Sequence, residues 1–208
     1  MTKRRILRAL LVVVSLGAWF GTQALIGSQD FPEDQIGDRV HQLTAPLHGW
    51  LLSHKSAASL LLIVSSALID GLGIFLLGRA ILGPSIRPLV ALLIVFGLRQ
   101  VCQLTCALPP PDRMIWYDPG VPSLLVTYGV SNDLFFSGHT SIAVLGALEL
   151  ARAGKSWGMI GILVALFEAA TVLILRAHYT MDVITALFAA LFASAVADRL
   201  SARIDRHL

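Results

Sequence analysis

Long apolar segments alternate with short polar ones along almost the whole chain. A helix needs about 20 predominantly apolar residues to cross the roughly 30 Å of hydrocarbon in a bilayer. The segments that approach this length are Ile6 to Ile26, Ser56 to Gly78, Pro88 to Leu108, Leu134 to Ala153, Trp157 to Leu175 and Asp182 to Ala197. The pattern therefore predicts an all-α integral membrane bundle of six transmembrane helices, the last of them short.

Composition agrees with a membrane protein. Of the 208 residues, 56% are hydrophobic and 14% are charged, which is outside the range of soluble domains. No linker, low-complexity tract or fixed-period repeat divides the chain, so we expect one transmembrane domain over residues 1–208. The first segment, after Thr2-Lys3-Arg4-Arg5, could instead be a secretory signal cleaved near Gln23-Ala24. Its length and the lack of a clear cleavage site favour a retained span.

Basic residues are distributed unevenly between the two sets of loops. One set carries Lys3, Arg4, Arg5, Arg8, Arg79, Arg87, Arg152, Lys155, Arg199, Arg203 and Arg206, and the other only Arg39, Lys55, Arg113 and Arg176. The positive-inside rule then predicts that both termini are cytoplasmic and that both histidine motifs described below face the exoplasmic side, periplasmic or lumenal. The net charge of +3 reflects this bias, and no basic stripe with interleaved aromatic residues indicates a nucleic-acid partner. Oligomeric state cannot be read from the pattern.

The two long exoplasmic connections differ in character. The first begins with an acidic stretch, Ser28 to Gln35, and its Ile36, Val40, Leu43 and Leu47 predict a short amphipathic helix at the interface. The second, Pro109 to Asp133, is rich in proline and predicts an irregular, lid-like loop.

Several side chains have ordinary structural interpretations. Trp50, Trp116, Tyr117 and Trp157 lie near predicted span boundaries and are expected to be interfacial anchors. Cys102 and Cys106, one helical turn apart, are expected to pack within a span rather than to bind a metal.

Two polar motifs lie at the boundaries of apolar segments, where ionisable groups are costly and indicate function. They are Phe136-Ser137-Gly138-His139-Thr140 and His178-Tyr179-Thr180-Met181-Asp182. Residues four apart share a helix face, so His178 and Asp182 can form a hydrogen bond that fixes the imidazole tautomer. The other imidazole nitrogen is then available as a nucleophile.

His139 begins the fourth span on the same predicted side. The small Ser137 and Gly138 before it allow a phosphate to approach the N–H groups of a helix N-terminus. Two histidines around a phosphate can divide the chemistry, one attacking phosphorus and the other protonating the leaving alcohol. On spacing alone, helix capping and headgroup binding without turnover is an equal alternative.

The two motifs resemble the type 2 phosphatidic acid phosphatase superfamily, and more closely its sphingomyelin synthase-like branch. That branch has Asp-x-x-x-Ser-Gly-His-Thr, found here as residues 133–140, and His-Tyr-Thr-x-Asp, found as residues 178–182. A third element, an arginine preceding Leu-Pro-x-Pro, is matched by Arg99 and Leu108-Pro109-Pro110-Pro111. The three motifs occur in the family's order, within a motif-bearing catalytic core of about residues 88–198.

The resemblance implies roles for these residues. His178 would attack the phosphorus of a phospholipid and carry the headgroup as a phosphohistidine, with Asp182 supporting it. His139 would protonate the departing diacylglycerol and then deprotonate the acceptor. The substrate-binding residues would be Arg99, Asp133, Ser137, Gly138, Arg176 and Tyr179. The resemblance implies no metal and no other cofactor.

The chain differs from the family motifs at several positions, and these differences bear on the substrate. The phosphatase branch has an arginine six residues before its second histidine, where this chain has Val172, and Arg176 could supply the charge instead. Arg-x-His-Tyr-Thr-x-Asp resembles plant phosphatidylcholine:diacylglycerol cholinephosphotransferases. The Cys-Gly of animal sphingomyelin synthases is replaced by Ser131-Asn132, which makes ceramide a doubtful acceptor.

Three further charged residues lie inside predicted spans. Arg99 is too deep to be a surface charge, and we expect it to bind the lipid phosphate, with an ion pair to Glu168 or another carboxylate as the alternative. For Glu168 we favour a structural role. For Asp70 we expect a hydrogen bond between helices, away from the site.

The leading hypothesis is an enzyme, a membrane phosphotransferase. It would move phosphocholine or phosphoethanolamine from a glycerophospholipid to a lipid alcohol, ceramide or diacylglycerol. The first alternative is a lipid phosphatase or phospholipase C-like hydrolase with water as acceptor. The second is a non-catalytic lipid-binding or scrambling protein, against which the intact His139, His178 and Asp182 argue.

Overall fold

A computed structural model of the chain describes residues 3–28, 36–128 and 133–207. Within these ranges the chain is all-helical. The helices are α1 (Lys3–Gly27), α2 (Arg39–Leu43), α3 (Ala45–Ser53), α4 (Lys55–Leu82), α5 (Arg87–Thr105), α6 (Gly138–Ala153), α7 (Lys155–Ile174) and α8 (Thr180–Ile204). Most of the acidic stretch and the Ser131-Asn132 pair lie outside the described residues.

Five of the helices, α1, α4, α5, α7 and α8, are long and apolar enough to cross a membrane. The predicted all-α membrane architecture is therefore confirmed at this level. The fourth predicted segment forms α6, which has 16 residues and is only about 24 Å long. It is shorter than predicted because residues 134–137 are not helical. The Ser137 hydroxyl instead caps the helix by accepting from Thr140 N at 3.3 Å.

Other boundaries also differ from the hydropathy pattern. Helix α8 continues to Ile204, so the last span is not short. Helix α5 ends at Thr105 rather than at Leu108, since Cys106 is extended and the prolines that follow cannot continue a helix. The predicted interfacial helix is two helices, α2 and α3, that meet at Thr44 just before Pro46.

Helix α6 lies at the centre of the bundle, with ten of its 16 residues buried. Small residues allow α7 to approach it closely, as is common between membrane helices. A Cβ on Gly161 would lie 2.5 Å from Ala147 Cα, so only glycine fits there. Protein therefore surrounds α6 on several sides.

Ion pairs collect at the end of the bundle opposite the histidine motifs. Arg8 contacts Asp205 at 3.1 Å, and Arg152 contacts Asp198 at 2.7 Å. Glu149 pairs with Arg87. These contacts join the ends of α1, α5, α6 and α8, so much of the basic cluster identified in the sequence shares one end of the molecule.

The proline-rich connection is irregular over residues 106–128, as predicted, but it enters the bundle. The Asp70 carboxylate, at the middle of α4, accepts from Leu124 N at 2.8 Å and Leu125 N at 2.9 Å. The Leu125 side chain occupies the space that a Cβ on Gly73 would need. The predicted helix-to-helix bond of Asp70 is therefore wrong, because its partner is this loop.

Candidate active site

The two histidine motifs meet at one end of the bundle. His139 and His178 both line a cavity of about 50 Å³. The motifs are joined directly, since Ser137 N donates to the Asp182 carbonyl at 3.2 Å. The start of α6 is thereby held beside the first turn of α8, and the two imidazoles share one small space.

Asp182 supports His178 from behind. Its Oδ2 lies 3.5 Å from His178 Nδ1 and also accepts from Tyr179 N at 2.8 Å. Its side chain is fully buried. The Asp182 carboxylate therefore faces Nδ1 of His178, and Nε2 is the nitrogen on the other side of the ring.

The interfacial helices clamp the turn that carries His178. His41 Nε2 donates to the His178 carbonyl at 2.9 Å, and His48 Nδ1 donates to the Ile174 carbonyl at 2.8 Å. The Asp38 carboxylate accepts from both Thr180 N and Thr180 Oγ1. Burial raises the pKa of Asp38, but these hydrogen bonds outweigh it and hold the pKa below its ordinary value. The sequence interpretation missed this clamp because it followed the apolar residues of the segment.

Two predicted substrate-binding residues are used elsewhere. The Tyr179 hydroxyl donates to the Pro109 carbonyl at 3.0 Å. Arg176 donates to the Asp112 carbonyl at 3.0 Å and lies 3.9 Å from the Asp112 carboxylate. Neither is among the described residues that line the cavity. Both fasten the His178 turn to the proline-rich loop.

Arg99 lines the cavity and organises the segment before α6. Its Nε donates to the Phe136 carbonyl at 2.7 Å, and its NH2 group donates to the Asp133 carbonyl at 2.5 Å and carboxylate at 3.1 Å. Its NH1 group contacts Gln23 Oε1 at 3.4 Å. Four of its five N–H donors are thus committed within the described residues. Its partner is Asp133 rather than Glu168, whose Oε2 accepts from Ser65 Oγ at 2.6 Å.

The residues of the Ser-Gly-His sequence have different surroundings. Gly138 lines the cavity, and a Cβ there would be 3.7 Å from the Arg99 guanidinium carbon. Ser137 is fully buried as the helix cap. Among the described residues His139 Nε2 has no hydrogen-bond partner. It is therefore free to exchange a proton with a substrate.

Tryptophan side chains complete the cavity wall. Trp116 packs edge-on against His139 with ring centroids 5.3 Å apart, and its Nε1 donates to the Thr127 carbonyl. Trp19 also lines the cavity. Trp116 is thus part of the site rather than only an interfacial anchor. Val172 is fully buried and is not among the cavity-lining residues.

Gln23 is the main site residue that sequence reasoning missed. It lies in the cavity wall, and its Nε2 donates to Asp133 Oδ2 at 2.8 Å. Its Oε1 accepts from Gln100 Nε2 at 3.2 Å as well as from Arg99. The sequence did contain one indication of this role, since Gln23 is a single amide near the end of the first apolar segment. The alternative of cleavage near Gln23 would separate α1 from this network.

The titratable side chains do not cluster as metal ligands do. Within the described ranges no group of three or more His, Cys, Asp or Glu side chains is placed to hold a metal ion.

Comparison with known proteins adds one match. The family model described as AtPDCT1/2, phosphatidylcholine:diacylglycerol cholinephosphotransferase, matches residues 37–199. No curated protein and no solved structure matches the chain. The matched region contains His139, His178 and Asp182, whereas Gln23 and the rest of α1 precede it.

Proposed function

The chain belongs to the phosphatidylcholine:diacylglycerol cholinephosphotransferase family, and from that premise we propose that it transfers phosphocholine from phosphatidylcholine to diacylglycerol. The observation that carries the proposal is the shared cavity of His139 and His178, with Asp182 behind His178. Two imidazoles on one cavity are what a two-step transfer at phosphorus requires.

In the first step the lone pair of His178 Nε2 attacks the phosphorus of phosphatidylcholine. A P–N bond forms while the bond from phosphorus to the glycerol oxygen breaks. Protonated His139 gives its Nε2 proton to that oxygen, and diacylglycerol leaves. Asp182 stabilises the positive charge on the modified imidazole through Nδ1.

The second step reverses the roles with a new acceptor. The hydroxyl of a second diacylglycerol gives its proton to neutral His139, and its oxygen attacks phosphorus. The P–N bond breaks and returns the electron pair to His178. The bonds formed and broken over the cycle are of the same kind, so the exchange is nearly isoenergetic and runs in both directions.

The cavity wall favours choline over ethanolamine. A quaternary ammonium donates no hydrogen bond and is bound by aromatic faces, and Trp19 and Trp116 supply such surfaces. A primary ammonium prefers a carboxylate, but the Asp133 carboxylate is already paired with Arg99 and Gln23. Phosphocholine is therefore the group we assign to this site.

A lipid acceptor is favoured over water. The cavity includes Ile69, Phe96, Leu125, Val126, Leu134 and Ile142. We infer that these apolar side chains limit the access of water to the intermediate and favour a lipid hydroxyl as the nucleophile.

We also infer the placement of the bundle in the membrane. We propose that α6 crosses as a sixth helix and that the histidine end faces the exoplasmic side. The supporting observation is that Arg8, Arg87 and Arg152 collect at the opposite end, where the positive-inside rule places cytoplasmic residues. Labelling of the exposed Cys106 by a membrane-impermeant thiol reagent in sealed vesicles of known orientation tests this. We expect labelling from the exoplasmic side, and labelling only from the cytoplasmic side would refute the placement.

The central experiment uses purified protein in liposomes. Diacylglycerol with isotopically labelled acyl chains is supplied with unlabelled phosphatidylcholine, and labelled phosphatidylcholine is measured by mass spectrometry. We expect product with the unmodified protein and none with His178→Ala or His139→Ala. His54→Ala is the matched control, because His54 is exposed and stacks on Trp50, away from the cavity.

Parallel reactions separate the alternatives. Phosphatidylethanolamine as donor and ceramide as acceptor are expected to give little product. Release of free phosphocholine without diacylglycerol would show hydrolysis instead. Labelled product from His178→Ala at the rate of His54→Ala would overturn the proposed role of His178.

A further inference from the structure

A second cavity lies between α1, α4 and α5. Its volume is about 320 Å³, at the lower end of the range of ligand sites. Most of its walls are aliphatic, with Val12 and Leu16 from α1 facing Leu89 and Leu92 from α5. Such a wall suits a hydrocarbon chain, since the hydroxyls of its Ser15 and Thr22 donate to carbonyls of their own helix.

This cavity adjoins the one that His139 and His178 line. Trp19, Phe96, Leu125 and Ile142 line both. Ile142 follows His139 by three residues and therefore shares its face of α6. The junction consequently lies on the side of the site where His139 exchanges a proton with the alcohol.

We propose that the cavity between α1 and α5 binds one acyl chain of the diacylglycerol unit, and this rests on the proposed function. The same unit leaves in the first step and a second one enters in the next, and both present a hydroxyl to His139. One chain site on the His139 side therefore serves the departing and the accepting diacylglycerol alike. Exposed apolar residues such as Leu93 on the cavity wall let the chain enter sideways from the bilayer.

Gly97 makes the cavity testable. It lines the cavity, and a Cβ built on it meets nothing within 4 Å. A larger side chain at this position would therefore extend into open space without displacing a helix. Gly71 is the matched control, since it lies in α4, is also free of neighbours within 4 Å, and is not among the residues of either cavity.

The experiment compares acceptors of different chain length in the liposome assay. The ratio of kcat/KM for dioleoylglycerol to that for dihexanoylglycerol is measured for the unmodified protein, Gly97→Leu and Gly71→Leu. We expect Gly97→Leu to lower the ratio roughly tenfold, as the loss of burial of about two methylene groups would. We expect Gly71→Leu to leave the ratio unchanged. An equal ratio in the two variants would overturn the inference while leaving the transferase function intact.

A binding measurement separates the two proposals completely. A diacylglycerol with a photoreactive diazirine in one chain is crosslinked to the His178→Ala protein, which needs no turnover. We expect labelled peptides from α1 and α5, with labelling reduced in a His178→Ala, Gly97→Leu double variant. Labelling confined to other helices, or unchanged by Gly97→Leu, would refute the chain site. Absence of transfer by the unmodified protein together with labelling of α1 and α5 would refute only the proposed function.

Discussion

Replacing Gln23 by alanine tests whether α1 is part of the catalytic machinery. The Gln23 amide joins the Asp133 carboxylate at 2.8 Å to Gln100 at 3.2 Å, with a longer contact to Arg99. These bonds help to fix the segment that leads into Gly138 and His139. Alanine removes all of them and leaves one Asp133 oxygen without its amide donor.

The expected loss of activity follows from the charge on Asp133, the hydrogen-bond partner of Gln23. A hydrogen bond to a charged group contributes about 1.5–3 kcal/mol, and about 1.4 kcal/mol is tenfold in rate. If the bond mainly positions the catalytic segment, kcat/KM for phosphocholine transfer falls between about tenfold and a hundredfold. Gln23→Glu is expected to lose more, because it places a second carboxylate against Asp133.

The assay is transfer to labelled diacylglycerol in liposomes, with thermal unfolding measured on the same preparations. Gln42→Ala is the control, since Gln42 is an exposed glutamine of α2 and the chemical change is identical. A Gln23→Ala protein that unfolds at the normal temperature and keeps activity within about twofold of Gln42→Ala would refute the argument.

Three further predictions concern the pH range, the arginines and the packing. Because the Asp38 pKa is held below its ordinary value of 3.8, its contribution to stability is full above that pH and is lost as the pH falls below it. The unfolding temperature of Asp38→Asn should therefore be less sensitive to acid than that of the unmodified protein. Arg99→Ala should lower transfer about a hundredfold, because it leaves the half-buried Asp133 carboxylate without its cationic partner, whereas Arg176→Ala should lower it less than about tenfold; equal losses measured in liposomes would contradict this ordering. Gly161→Leu should destabilise the bundle by about 1–3 kcal/mol, measured by thermal unfolding against Gly71→Leu.

The helices and the pairing of the histidine motifs could be predicted because they depend on short-range properties. Hydropathy over a window finds a span, and spacing of four places Asp182 behind His178. The alternation of spans then brings the starts of α6 and α8 to one end. The boundaries were less accurate because capping by Ser137 starts α6 later than its apolar segment, and the prolines after Leu108 stop α5 earlier. Average hydropathy does not detect these local effects.

The long-range contacts could not be predicted in the same way. Gln23 and Asp133 are separated by 110 positions, and no property of either residue alone predicts that the two form a hydrogen bond. The sequence contained a weak indication that one face of α2 and α3 points into the bundle. His41 and His48 are seven residues apart, a spacing that places two residues on the same face of a helix. The entry of Leu125 into the bundle depends on the Asp70 carboxylate, which the sequence marks only as a buried charge.

If α6 crosses the membrane as proposed, its 16 residues also set the level at which the proposed reaction takes place. With its charged end at one membrane surface, a helix about 24 Å long stops roughly 6 Å short of the far side of a 30 Å hydrocarbon layer. His139 then lies beneath that boundary, and a donor lipid has to sink toward it or the bilayer has to thin around the protein. Membrane thickness thereby becomes a control on turnover, and bilayers built from shorter phospholipids should support faster headgroup exchange.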